Sequence, residues 1–340
     1  MRVSFQKAKT LLEGINKKDK VAIIVHDDLD GVSSGILFYD FCSSKKPKKI
    51  KVFFVNYEKK FKSDLRNFNK ILIADLSQSF VRELLKKISK RSVVFYTDHH
   101  RREKILFPKN VYELRNSDKL YIPSSRTVYE LVGGKKWLAV LGVLSDYGDS
   151  YPENFSFIKN FLEENNFSLD YLKENFLYVL STSIIYLKNK KSFFSILKKL
   201  NKLEDIENLR KYSKFVKEEL EKFIKDFEIK NEKKGIINFY YFEPKYPIKS
   251  FLINYISNKH PGDIFFFCVP SKREFLNISV RNQSKEYKVL FLLKELTKNL
   301  KEAKAGGHLY ASSALIKNGD LENFKKALFS SDLKKFRSLK

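Results

Sequence analysis

The sequence predicts an α/β architecture in two parts, on three observations. Short apolar runs of strand length alternate with amphipathic segments over the first 150 residues; residues 155–230 lose every β-rich run and contain no glycine; and the β pattern returns after Gly235. Strands that alternate with helices pair in parallel, because each crossover has to carry the chain back along the sheet, and the helices then cover the faces. A chain of 340 residues, against roughly 100–200 residues per domain, therefore makes two packed units with enough apolar surface for a core.

Taken in order, Val21–Val25, Ile50–Val55, Ile71–Ala74 and Val93–Tyr96 read as strands, and amphipathic segments near 32–42 and 79–89 read as helices. Ser124 and Ser125 can cap a helix over 126–132, and Lys135–Ser145 reads as a further, largely buried helix. Over 155–230, Lys and Glu are interleaved with Phe, Leu and Ile at helical spacing, which predicts three or four helices. The most charged part, Glu204–Lys230, reads as a solvated amphipathic helix joining two domains, with a boundary near 185–235. Beyond it, Ile236–Phe242, Ile264–Val269 and Glu274–Val280 read as strands, and 286–300 and 321–329 as helices, so a smaller α/β unit closes the chain.

Sixty-six Lys and Arg against 40 Asp and Glu give a net charge of +26. Such a charge repels itself in a compact chain unless a polyanion or counterions sit beside it, which puts nucleic acid first among partners. An acidic membrane surface is the weaker candidate: no apolar run approaches the roughly 18 residues of a spanning helix, and Val21–Val25 is too short for a signal-peptide core. The protein is therefore read as cytoplasmic, without a membrane partner. Cys42 and Cys268 are too few for a disulfide framework and too far apart for a metal pair, and read as buried thiols.

Histidine occurs at only five positions, 26, 99, 100, 260 and 308. His26-Asp27-Asp28-Leu29-Asp30-Gly31 begins where Val21–Val25 ends, so an imidazole and alternating carboxylates stand at the carboxyl end of a predicted strand, where open α/β sheets hold ligands. Residues 26, 28 and 30 share a parity, and a turn permitted by Gly31 can fold them inward while Asp27 points elsewhere. Asp75 follows Ile71–Ala74 in the same way, and Asp98-His99-His100 follows Val93–Thr97. Asp146 ends the apolar helix in Gly142-Val143-Leu144-Ser145-Asp146 and is preferred to Asp149 as a ligand.

Each feature alone has a plain explanation. A single Asp after a strand ordinarily forms a turn or caps a helix, tandem His99-His100 suits a surface loop as well as a site, and His260 before Pro261-Gly262 reads as a turn residue. Isolated turn residues do not, however, recur at equivalent strand ends. Close carboxylates repel unless a divalent ion neutralises them or one takes a proton. With oxygen donors dominant and no thiolate, the set suits Mn²⁺ ahead of Mg²⁺, Fe²⁺, Co²⁺ or Zn²⁺, and it is large enough for two ions.

In order along the chain, His26-x-Asp28-x-Asp30-Gly31, Asp75, Asp98-His99-His100 and Gly142-x-x-x-Asp146 resemble the four signature motifs of the DHH phosphoesterase superfamily, the first in the spacing of its RecJ-like branch. Ala305-Gly306-Gly307-His308 resembles the Gly-Gly-His signature of the DHH-associated second domain, and Ser279-Val280-Arg281 its upstream Ser-x-Arg strand. Ala305 stands where many relatives have a third glycine, and Leu29 where a smaller residue is commoner. The resemblance covers nearly the whole chain. It implies a DHH phosphoesterase domain over 1–185, a helical connector over 186–232 and a DHH-associated substrate-binding domain over 233–340, with the active site in the inter-domain cleft.

The activity so implied is that of a two-metal, Mn²⁺-preferring phosphodiesterase, with Mg²⁺ or Co²⁺ as alternatives. The chain resembles short archaeal RecJ-like exonucleases, which act on single-stranded DNA or RNA and in some cases associate with replication or fork-repair proteins. Two such ions lower the pKa of a water and stabilise charge on the attacking and leaving oxygens. On this reading His26, Asp28 and Asp75 hold one ion, and Asp30, Asp75, His99 and Asp146 the other, with Asp75 shared. His100 faces the phosphate or completes a metal shell, and Asp98 orients a ligand histidine. Gly306, Gly307 and His308 hold a terminal phosphate, Arg281 adds a clamp, and Arg101-Arg102 is a candidate guide for the strand.

Three other readings compete. An oligoribonuclease or 3′-phosphoadenosine 5′-phosphate phosphatase would use the same centre on short substrates. An inactive DHH scaffold in a replication complex has no chemical need for the acidic cluster. A simple basic nucleic-acid-binding module leaves that cluster unexplained.

Overall fold

Strands β1 (Lys20–His26), β2 (Lys49–Val55), β3 (Lys70–Ala74), β4 (Val93–Thr97) and β5 (Val111–Leu114) pair in parallel in the order β2-β1-β3-β4-β5. This is a computed structural model of the chain, and it describes all residues except 58, 59, 89, 101, 102, 104, 118, 339 and 340. The candidate strand guide Arg101-Arg102 lies outside the described residues.

The near-continuous apolar runs have a direct cause, since the sheet is covered on both faces. Val21, Ile23 and Val25 of β1 point into one layer, against α1 (Phe5–Glu13), α2 (Leu29–Ser44) and α4 (Ser124–Val132). Ala22 and Ile24 point into the other, with Val81 and Leu84 of α3 (Gln78–Leu85). A third apolar cluster joins α2 to α5 (Lys136–Ser145), α6 (Phe155–Asn165), α8 (Tyr178–Leu187) and α9 (Lys190–Leu197). Between α6 and α8 the chain forms α7 (Leu169–Leu172) and a π turn, Lys173–Leu177.

The chain divides into two units, Met1–Ser213 and Lys214–Lys340. The division falls inside α10 (Arg210–Lys230) rather than along a separate connector over 186–232. Phe193, Phe194, Leu197, Leu203, Ile206 and Leu209 are buried in the first unit's largest cluster, so the residues expected to link domains instead complete a core. Farther along α10, Phe223 and Phe227 pack on Tyr240, Phe242 and Phe267 of the second unit. The solvated joining helix expected over Glu204–Lys230 is thus a packing element with a buried face, and the described residues over 155–230 hold five α-helices rather than three or four.

The second unit carries a mixed sheet, built from β6 (Glu232–Lys234), β7 (Ile237–Tyr241), β8 (Ile264–Pro270), β9 (Phe275–Arg281), β10 (Lys304–His308) and β11 (Ala311–Lys317) in the order β10-β11-β9-β8-β7-β6. Only β7 and β8 pair in parallel among these. One face buries Phe266, Cys268, Ile278, Val280, Ala314 and Ile316 under α12 (Val289–Thr297) and α13 (Leu321–Phe329). α11 (Lys249–Lys259) precedes β8 and ends at His260, its C-cap residue. Both cysteines are buried free thiols. Among the described residues no helix is long and apolar enough to cross a membrane.

Candidate metal centre

The order β2-β1-β3 makes the chain leave β1 for one neighbour and return on its other side, which is the topological switch point where open α/β sheets bind ligands outside their carboxyl ends. His26 is the last residue of β1, Asp75 follows β3, and Asp98, His99 and His100 follow β4. Parallel pairing places these ends side by side, with Val25 opposite Ala74 and Ala74 opposite Thr97.

The segment after β1 starts a helix instead of the turn expected from Gly31. Asp28 is the N-cap of α2 and accepts the Gly31 N–H at 2.9 Å. Asp30, in the first helical turn and fully buried, accepts the N–H groups of Ser124 at 2.9 Å and Ser125 at 3.0 Å, and so also caps the start of α4. Gly31 is required for close approach: a Cβ there would lie 2.5 Å from the His26 carbonyl oxygen. Gly142 likewise faces Ser125, whose Oγ would stand 2.4 Å from an added Cβ. Asp146 is the C-cap of α5.

These elements bring every expected metal ligand together. His26 Nδ1 lies 2.6 Å from Asp28 Oδ2 and 3.7 Å from Asp75 Oδ2. His99 Nε2 lies 3.1 Å from Asp75 Oδ1 and 3.2 Å from Asp146 Oδ2. Potential ligand atoms cluster within 4.8 Å of one another in three sets: His26, Asp28 and Asp75; Asp30, His99 and Asp146; and Asp75 with Asp98, His99 and His100. Asp75 adjoins both His26 and His99. Asp27 instead accepts an N–H from Asn56 at 3.0 Å, and Asp149 is paired with Lys173 at 2.5 Å.

The electrostatics fit a divalent cation. Burial, then the charges of Asp28 and Asp30, hold Asp75 well above the usual carboxylate range. Burial and Asp30 do the same to Asp146, and burial pushes Asp30 up to about 6. Burial and the neighbouring His100 depress His99 to about 4, leaving its imidazole neutral and able to ligate. Asp75 Oδ2 is buried with no hydrogen-bond partner among the described residues. A carboxylate oxygen left in this way is costly unless a cation takes it, and the mixed carboxylate and imidazole donors suit a divalent metal ion.

Asp98 and His100 form a different unit. Asp98 Oδ1 lies 2.7 Å from His100 Nδ1, while Oδ2 accepts the Tyr96 hydroxyl at 3.1 Å and faces Arg115 at 3.6 Å. Burial, the largest single influence, would raise Asp98, but the hydrogen bond and charge of His100 together with the charges of His99 and Arg115 hold the carboxyl below its usual range. His100 is raised despite burial, because Asp98 bonds and faces it. Asp98 therefore orients His100 and not His99, and directs the other ring nitrogen away from the carboxylate.

Two tyrosines at the centre were not anticipated. Tyr121 donates to Asp146 Oδ2 at 3.3 Å, with its ring 4.9 Å from that of His99. The Tyr57 ring lies 4.9 Å from that of His26. Single tyrosines in loops carry no motif, so the sequence holds no signal for them.

In the second unit, strand pairing opposes Arg281 to Ala311 and Ala311 to His308, a row that puts Arg281 and His308 on one face two strands apart. Gly306 opposes Ser313, and Ser313 opposes Ser279, in the next row of that face. Arg281 Nε donates to Asn254 at 2.8 Å. Gly307 has φ +124, where an added Cβ would stand 2.8 Å from the Ala311 carbonyl oxygen. Gly306, Gly307 and His308 are exposed.

Residues 20–141 match the family model described as the DHH family, N-terminal domain. That match identifies residues 20–141 as a DHH-family N-terminal domain, and five of the candidate metal ligands, His26, Asp28, Asp30, Asp75 and His99, lie inside it. The fold of the chain is RecJ-like. RecJ from Thermus thermophilus in complex with Mn²⁺ matches with a TM-score of 0.69 at 14% identity, over 96% of this chain and 54% of that one. The chain thus spans about half the length of that RecJ, at 54%. A second RecJ exonuclease bound to manganese matches at 0.67 and 14% identity, over 96% of this chain and 94% of its own. CDC45 from Entamoeba histolytica matches at 0.56 and 14% identity, over 97% and 100%. No curated protein sequence matches the chain.

Proposed function

We propose that the protein is a divalent-metal-dependent phosphodiesterase, specifically a RecJ-like exonuclease acting on single-stranded DNA or RNA. The observation that carries this reading is the position of Asp75, its two oxygens directed at His26 on one side and His99 on the other. His26, Asp28 and Asp75 would hold one ion, and Asp30, Asp75, His99 and Asp146 a second, Mn²⁺ in preference to Mg²⁺ or Co²⁺. Bound there, two ions would lower the pKa of the attacking water and neutralise charge on the attacking and leaving oxygens.

The chain's own residues do the rest. Asp98 accepts the Nδ1–H of His100, so Nε2 is presented to a phosphate oxygen and can donate a hydrogen bond or proton to it. Tyr121 steadies Asp146 by donating to its carboxylate. Arg281 and His308, aligned on one sheet face, bind a further phosphate of the strand, and Gly306 and Gly307 admit it close to the backbone. The net charge of +26 favours a long polyanion over a short ester. A partner from replication or fork repair belongs to the same reading, and the likeness of fold to CDC45 supports it.

The test is incubation with single-stranded DNA and RNA labelled at either end, with Mn²⁺ or chelator. Stepwise, Mn²⁺-dependent release of nucleotides from one end is expected. Cleavage confined to two-nucleotide substrates would favour the oligoribonuclease alternative, and no cleavage would favour the scaffold.

A further inference from the structure

We propose that Tyr57 is a stacking platform for a nucleobase of the substrate, and so a specificity determinant favouring base-bearing phosphodiesters over bare phosphate backbones. The proposal rests on the phosphodiesterase reading above and names the substrate group that lies beside the phosphate. Tyr57 follows β2 and is 42% exposed, yet it is held from several directions. Its oxygen accepts the Ser77 N–H at 2.8 Å, and its ring meets Phe80 edge-on at 5.4 Å and 83°. The same ring lies 4.9 Å from His26 at 37° and 6.4 Å from His100 at 84°.

A tyrosine fixed in this way holds its ring in one orientation, because its oxygen is anchored by the Ser77 N–H and its edge by Phe80. Apolar ring surface left in water gains free energy when covered, and a ring that is already immobile loses little entropy on covering. The surface stands beside two imidazoles of the proposed centre, within the reach from a phosphate to its own base in a nucleotide. Bases stack on such rings whatever their identity, since each has a π face. A polyphosphate or abasic sugar-phosphate chain has no aromatic base to place there. On the other flank, Tyr121 is stacked on Tyr151 at 4.3 Å and 20°, so that ring is already covered.

The experiment compares Mn²⁺-dependent cleavage of a thymidine oligonucleotide and of an abasic oligonucleotide of equal phosphate number, using the full chain, Tyr57→Leu, Tyr57→Phe and Tyr57→Trp. Tyr57→Leu is expected to lower kcat/KM on the thymidine strand roughly tenfold more than on the abasic strand, chiefly through KM. Tyr57→Phe and Tyr57→Trp, which keep a ring, are expected to retain the preference for bases. Equal losses on both strands, or a Phe variant as indifferent to bases as the Leu variant, would overturn the stacking role while leaving the phosphodiesterase reading intact. If Tyr57→Leu does not fold, the wild-type ratio decides, and a value near one overturns the proposal. Failure of the wild type to cut either strand with Mn²⁺ overturns both.

Discussion

Asp75 is 1% exposed and adopts a left-handed backbone conformation, φ 59. Aspartate enters that region more readily than most residues, but the conformation is still uphill and persists where the surroundings enforce it. Here β3 has just ended and the side chain is needed between His26 and His99. Asp75→Asn keeps the shape and removes the charge. It is expected to abolish the stabilisation of the fold by Mn²⁺ in thermal unfolding and to reduce cleavage by more than about 100-fold, beyond the range reached by disturbing a ligand's partner. At Gly31 the argument is steric: a Cβ 2.5 Å from the His26 carbonyl oxygen cannot be accommodated without moving β1 or α2. Gly31→Ala is expected to cost about 1–3 kcal/mol, measured by denaturant unfolding of the metal-free protein. Arg281→Ala should raise KM on single strands, and an unchanged KM and kcat would remove Arg281 from the binding surface.

At the scale of elements, strand ends and the starts of α2 and α4 act as one device. Asp28 and Asp30 cap two helices and also face the candidate ions, so three raised carboxylates, Asp30, Asp75 and Asp146, sit close together. A carboxyl raised in the folded state favours folding below its unfolded pKa of about 4, and that contribution is lost as pH rises through the folded value, about 6 for Asp30. His99, depressed to about 4, acts in the opposite sense, as one group against three. Metal-free stability is therefore expected to fall as pH rises from about 4 through 6 and beyond, and the Mn²⁺-induced rise in Tm to grow over the same span. A Tm independent of pH there would show that the carboxylates do not repel as placed.

The same elements show what the sequence made legible. The interiors of β1, β3 and β4 are buried on both faces and apolar, so these strands and the acids just beyond them could be read directly, while β2, at the sheet edge, alternates lysine with apolar residues before Val52–Val55. β5 has only four residues, and α1 and α11 carry polar residues on a large part of their surface. β10 and β11, Lys-Ala-Gly-Gly-His and Ala-Ser-Ser-Ala-Leu-Ile-Lys, are poor in the branched and aromatic residues that mark strands, and pairing alone makes them strands. Tyr57 and Tyr121 were hidden for another reason: tertiary proximity, which no local spacing encodes, makes them neighbours of the histidines.

For the molecule as a whole, a charge of +26 makes binding of polyanions a matter of ion release. Affinity for a twenty-nucleotide strand should fall steeply with salt, with a log–log slope of about −0.7 for each phosphate contacted, while a dinucleotide should show a much shallower dependence. Fluorescence anisotropy of labelled strands in Ca²⁺ or metal-free buffer would measure both slopes, and equal slopes would contradict recognition of a long strand. The candidate ligands stand at the ends of strands and helices whose interiors require only that residues be apolar and fit. Such a protein can let most of its alphabet drift over evolutionary time while a few positions stay pinned. Identity of 14% beside a TM-score of 0.69 fits that tolerance: one architecture, written in largely different residues.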